Sequence, residues 1–201
     1  MSEPLTIMVA PNGARRTKSD HPEIPVTIEE AARVLAACAE AGASAAHVHV
    51  RDADGRHLLD ADAYSALLGL VAREVSSDFV CQVTTEAIGR YGPDVQMDVV
   101  RKVRPQAVSI AIKELVPDDA EQEAARFYDW CRREEMAVQH IVYDAAEFER
   151  LLELSRRGVV PLATVCRSCS YSAATAPISK AMRICCCRSC AFSMRRKAPR
   201  T

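Results

Sequence analysis

His47 and His49 stand two apart in the run Ala45-Ala46-His47-Val48-His49-Val50, just before Arg51, Asp52 and a loop marked by Asp54-Gly55. Side chains alternate between the two faces of a strand, so a strand over 45–50 points both imidazoles one way and Val48 and Val50 the other. Two imidazoles close together at the end of a strand form half of a metal site. The same spacing also suits two hydrogen-bonded histidines on a half-buried strand, because H-x-H is a short pattern. Other polar residues close apolar runs in the same manner: Asn12, Thr84 with Thr85 and Glu86, Glu114, and Tyr143 with Asp144. In a parallel α/β barrel, functional groups gather at the C-terminal ends of the strands. Five polar strand ends suit a shared mouth, although strand-to-loop junctions are polar in general.

Those residues need strands to hold them, and the hydrophobic pattern supplies candidates. Strands are predicted over Leu5–Ala10, Ala45–Val50, Phe79–Thr84, Ala107–Ile112 and Ala137–Tyr143, with a sixth beginning at Val159-Val160. Between them lie amphipathic stretches. Thr27 with Glu30 has the form of a capping box, and Ala31, Val34, Leu35 and Cys38 follow at helical spacing. Further helices are predicted over Ala61–Arg73, Pro93–Val103, Asp118–Arg133 and Ala145–Arg157. Strands alternating with helices call for parallel βαβ units. The pattern fits either an open doubly wound sheet or a barrel. No G-x-G-x-x-G follows the first strand and no P-loop is present, so nucleotide-binding folds lack their fingerprint. His21, His57 and His140 are read as surface or hydrogen-bonded histidines, and Phe127 with Trp130 as core.

Four segments decide between these readings: IMVAPNGARRTKSDHPEIPVTIEEAA (Ile7 to Ala32), EAGASAAHVHVRDADG (Glu40 to Gly55), CQVTTEAIG (Cys81 to Gly89) and RRGVVP (Arg156 to Pro161). In order and interval they resemble the β-keto acid cleavage enzymes, the family of 3-keto-5-aminohexanoate cleavage enzyme, over residues 5 to about 162. The resemblance implies a TIM-type (β/α)8 barrel, here shortened to five or six βα units. It implies a zinc enzyme that transfers an acyl group between a β-keto acid and acetyl-CoA, giving acetoacetate and a CoA ester. In that family two histidines of an H-x-H strand and a late-barrel glutamate hold zinc, and His47 and His49 match the pair. Zinc acts there as a Lewis acid on the β-keto carbonyl. Thr84 matches a substrate-contacting serine, Glu114 falls where another polar substrate contact is expected, and Arg15 replaces a glutamate that recognises an amino group in some members. The late-barrel arginine, glutamate and aspartate find no counterparts, which leaves the catalytic residues unassigned and implies an inactive chain. Intact relatives are expected to be homo-oligomers.

Composition divides the chain near residue 161. Residues 1–160 carry 18 Lys+Arg against 27 Asp+Glu, whereas 161–201 carry 8 against none. Six of nine cysteines lie in those last 41 residues. Cys166-x2-Cys169 and Cys187-x2-Cys190 have the spacing of a four-cysteine zinc site, and with the basic charge they describe a ribbon that binds nucleic acid. The competing reading is a shifted reading frame. Cys before Cys gives only Leu in that frame, and Ser170 to Met194 can then read VLGRYRADLEGDADLLLPFLRVLDA, a leucine-rich helical sequence like the family's own continuation. On that reading residues 1–161 are a partial barrel and 162–201 a disordered tail without function. No apolar run approaches 18 residues and no signal peptide is visible, so a cytoplasmic protein without membrane contact is expected.

Overall fold

The computed structural model describes residues 6–161 and the backbone of 182–185. The tail readings, the four ribbon cysteines included, otherwise lie outside the described residues. The chain divides into two compact units, one of residues up to Thr84 with Asp98–Gln106, the other of Thr85–Met97 with everything from Ala107 onward.

In the first unit, β1 (Met8–Val9) pairs in parallel with β2 (Ala45–Val48), and β2 in parallel with β5 (Val80–Thr84). Helix α1 (Ile28–Glu40) links β1 to β2, and α2 (Ala61–Glu74) lies between β2 and β5. The capping box at the start of α1 is present: Thr27 Oγ1 accepts from Glu30 N, and Glu30 Oε2 accepts from Thr27 N. Lys18, bonded to the same carboxylate, together with the Val26 amide pulls Glu30 down to about 2. Ala31, Ala32 and Leu35 form the buried stripe of α1, and Tyr64, Leu67 and Val71 that of α2. Between β2 and α2 the chain makes an antiparallel hairpin of β3 (Val50–Arg51) and β4 (His57–Leu58). The predicted strand through Val50 therefore breaks at His49. Asn12 takes over there, donating from Nδ2 to His49 O at 2.9 Å while its Oδ1 accepts from His49 N at 3.4 Å.

In the second unit, β6 (Ala107–Ala111) pairs in parallel with β7 (Ala137–Val142). Helix α3 (Pro93–Val103), which belongs to this unit only up to Met97, precedes β6; a four-residue helix α4 (Ile112–Leu115), a 3-10 turn at Asp118–Ala120 and α5 (Glu121–Arg133) connect β6 to β7; α6 (Ala145–Arg156) follows β7. Ile112 thus opens a helix and does not extend the strand as predicted. Phe127 and Tyr128 of α5 are fully buried, and Trp130 is half-buried beside Phe127. Among the described residues, Val159 and Val160 form a bend where the sixth strand is predicted to begin. Gly158, at φ 75°, turns the chain so that Gly158 N donates to Ser155 O and Val159 N to Leu154 O, which closes α6 with a left-handed cap. β8 (Met182–Cys185) instead pairs antiparallel with β7.

Candidate metal centre

His47 and His49 are 2% and 3% exposed, and their Nε2 atoms face each other at 3.1 Å. The register of β2 against β5 sets Gln82 beside His47, and His47 Nδ1 lies 2.8 Å from Gln82 Oε1. An amide oxygen only accepts, so Nδ1 of His47 carries the proton and Nε2 presents a lone pair toward His49. Two imidazole nitrogens on one tetrahedral zinc stand about 3.3 Å apart, given Zn–N bonds of about 2.0–2.1 Å. The observed separation and the lone pair so exposed fit a divalent metal held by both Nε2 atoms. Among the described residues no group of three His, Cys, Asp or Glu side chains converges on one metal position. The described donor set is therefore a pair of imidazoles.

His57 joins this cluster, although its place in the sequence gives no sign of it. The hairpin returns it to His49, with Nδ1 to Nδ1 at 3.5 Å, ring centroids 5.3 Å apart, and 1% exposure. The reading of His57 as a histidine with a hydrogen-bonding partner holds, but the site-forming partner is what sequence missed. Eight residues and a reversal of direction separate the two rings, and no periodicity links them. Gln82 was missed for a related reason, since strand register is not written in local sequence. His21 is exposed and accepts from Glu23 N. His140 departs from expectation: it is buried, with no partner for either ring nitrogen among the described residues.

The other site residues fall as follows. Thr84, 1% exposed, ends β5, and strand alternation places it on the face of Gln82. Asn12 clamps the backbone of His49. Arg15 is exposed. Thr85 donates from its hydroxyl and its amide to Ser109 O. Glu114 lies on α4, where its Oε2 accepts from Ala87 N at 3.0 Å and its carbonyl from Gln96 Nε2 at 3.2 Å. Its carboxylate thereby anchors the turn after β5. Asp144 caps α6 by accepting from Glu147 N, and Lys113 Nζ lies 3.6 Å from the centre of the Tyr143 ring. Cys81, on the other face of β5, lines a cavity of about 200 Å³; burial pushes its thiol up to about 12, which makes it no nucleophile.

Comparison with known proteins decides the family. A model of the beta-keto acid cleavage enzyme family matches residues 4–187. The chain belongs to the beta-keto acid cleavage enzymes. The match runs on to residue 187, past residue 162, where the recognisable motifs end. A 3-oxoadipate:acetyl-CoA acetyltransferase of Cupriavidus necator is 32% identical over 111 residues, covering 55% of this chain and 38% of that protein. A 3-keto-5-aminohexanoate cleavage enzyme of Fusobacterium nucleatum is 38% identical over 85 residues, covering 42% of this chain and 31% of that one. The matched stretches thus span about a third of these relatives' length. Among solved structures, ObcA in its binary complex with oxaloacetate superposes with a TM-score of 0.57 at 17% identity, covering 69% of this chain and 35% of ObcA. A ternary complex of ObcA with a C4-CoA adduct and oxalate gives 0.57 at 18% identity over the same shares. The likeness bears out the TIM-type barrel fold expected for a member of this family.

Proposed function

We propose that this chain carries the metal-binding strands of a zinc-dependent β-keto acid cleavage enzyme, which exchanges acyl groups between a β-keto acid and acetyl-CoA to give acetoacetate and a CoA ester. The observation that supports it is the facing pair of Nε2 atoms on His47 and His49, buried in a chain of this family. Bound there, zinc supplies Lewis-acid polarisation of the substrate's keto oxygen. The chain's own residues supply the rest. Gln82 keeps the proton of His47 on Nδ1, Asn12 fixes the backbone of His49, and the buried strand ends exclude water. Thr84, on the same strand face as Gln82, is the proposed contact for the substrate's polar groups. Glu114 contacts substrate on this reading only by giving up the Ala87 amide.

Two imidazoles are one protein ligand short of the three usual for catalytic zinc. We further propose that the basic, cysteine-rich tail reflects a shifted frame, that the whole enzyme supplies the third ligand, and that it works as a cytoplasmic homo-oligomer without nucleic-acid or membrane partners. Among the described residues no helix is long and apolar enough to cross a membrane.

Incubation with zinc, acetyl-CoA and a panel of β-keto acids tests the reading. The chain as written is expected to form no measurable acetoacetate. The same gene with its frame restored between codons 161 and 170 is expected to form acetoacetate in a zinc-dependent way that His47→Ala abolishes. Turnover that survives His47→Ala, or a restored protein that is inert with zinc, contradicts it.

A further inference from the structure

The hairpin that follows β2 is built more firmly than a connecting loop requires. Asp52 N donates to Arg56 O, Gly55 N donates to Asp52 O, and Asp52 Oδ1 accepts from the amides of Asp54 and Arg56. The Arg51 guanidinium then ties the hairpin to the segment after β1 through the carbonyls of Gly13, Ala14 and Arg16, and to its own loop through Gly55 O. Cross-strand pairing sets Arg51 against His57 and Val50 against Leu58. Everything in this arrangement fixes where His57 lies, and His57 lies against the outer nitrogen of His49.

We propose that His57 is a positioning residue for the metal centre, whose Nδ1 receives the Nδ1 proton of His49 and so turns the Nε2 lone pair of His49 toward that of His47. The inference rests on the metal reading above. Gln82 performs this service for His47, and a proton on Nε2 of His49 would block one of the two donor positions. The two arrangements hold the same number of protons and interconvert by exchange with water. In the hydrogen-bonded pair, His49 Nε2–H donates to His47 Nε2 and His57 Nδ1–H donates to His49 Nδ1. In the metal-ready arrangement, His49 carries its proton on Nδ1 and donates to His57 Nδ1, while His57 carries its own on Nε2. Each ring stays neutral: the proton between His57 Nδ1 and His49 Nδ1 passes to His49, His49 Nε2 gives its proton to water, and His57 Nε2 takes one from water. An outer partner of this kind holds a ligand's ring orientation as well as its tautomer.

Calorimetric titration of the whole chain with Co²⁺, together with the visible absorption of the bound ion, tests the role. His57→Phe keeps the ring volume and removes the acceptor; it is expected to weaken Co²⁺ binding by about tenfold or more, the usual effect of losing an outer-shell partner. His57→Asn, whose amide stands near the position of Nδ1, is expected to stay within a few-fold of the parent, and His57→Gln, whose amide is displaced by one methylene, to lose affinity like the Phe variant. Metal-free thermal melts show whether each variant is folded. If the Phe variant does not fold, the Asn and Gln pair decides: equal affinities overturn the proposal. Binding by the parent that His47→Ala abolishes and His57→Phe leaves unchanged overturns the positioning role alone. A parent that takes up no Co²⁺ overturns both it and the metal reading.

Discussion

On β7, His140 is 1% exposed, lies 5.5 Å from the Tyr128 ring between centroids, and has no partner for Nδ1 or Nε2 among the described residues. Burial pushes it down from 6.5 to about 4. A folded-state value below the unfolded one means that the unfolded chain binds the extra proton first, so stability rises with pH in that interval. The contribution is complete above pH 6.5 and is lost as pH falls toward 4, at up to about 1.4 kcal/mol per pH unit. His140→Leu is expected to flatten the acid limb of a denaturation midpoint plotted against pH, and to raise stability at pH 5; an unchanged limb shows that other groups set it. Gln82 presents the opposite case, a buried side chain whose hydrogen bond is made. Gln82→Leu is expected to cost about 1–3 kcal/mol in urea unfolding, because His47 Nδ1–H then loses its acceptor. At this scale the sequence displays the H-x-H pair plainly, since its spacing of two is the period of a strand. His57 and Gln82 reach the same cluster through a hairpin and a strand register that no local pattern encodes.

Three helices end alike. After α1, α5 and α6, a residue in the left-handed region closes the helix through paired bonds back to the last turn: Gly42 after α1, Glu135 after α5 and Gly158 after α6, at φ 100°, 57° and 75°. Glycine adopts that conformation freely, and a residue with Cβ is strained there by about 1–2 kcal/mol. Gly42→Ala is therefore expected to lower stability by about 1 kcal/mol, and Glu135→Gly, at an exposed position, to raise it by a similar amount. Thermal melts of the two variants check the pair, and a stabilised Gly42→Ala contradicts the assignment of strain. Helices were the legible elements. The capping box of α1 and the extent of α3 were readable because they depend on neighbours three or four residues apart. The strand ends were less so: β2 stops at Val48 because Asn12 binds the His49 backbone, and β6 stops at Ala111 because Ile112 enters α4. Gly158 was visible in RRGVVP, but the bend it sets at Val159 and Val160 depends on helix-end hydrogen bonds that hydrophobic pattern ignores.

Across the whole molecule, family membership rests on motifs spread over β1, β2 and β5 together with the family match to residues 4–187. The change of charge and cysteine content near residue 161 was plain in the sequence, and it bears directly on where metal binds. Two donor sets are proposed for zinc in this chain. One is the imidazole pair of His47 and His49; the other is the thiolate set of Cys166, Cys169, Cys187 and Cys190 that the ribbon reading would use. They differ in the atom bonded to the metal and in bond length, about 2.0–2.1 Å for nitrogen and about 2.3 Å for sulfur. Zinc K-edge X-ray absorption of the full chain, loaded with one equivalent of zinc and compared with His47→Ala, separates them. The expected result is a nitrogen and oxygen shell with the outer scattering of two imidazoles in the parent and of one fewer in the variant; a sulfur shell of about four atoms, unchanged by His47→Ala, would contradict it.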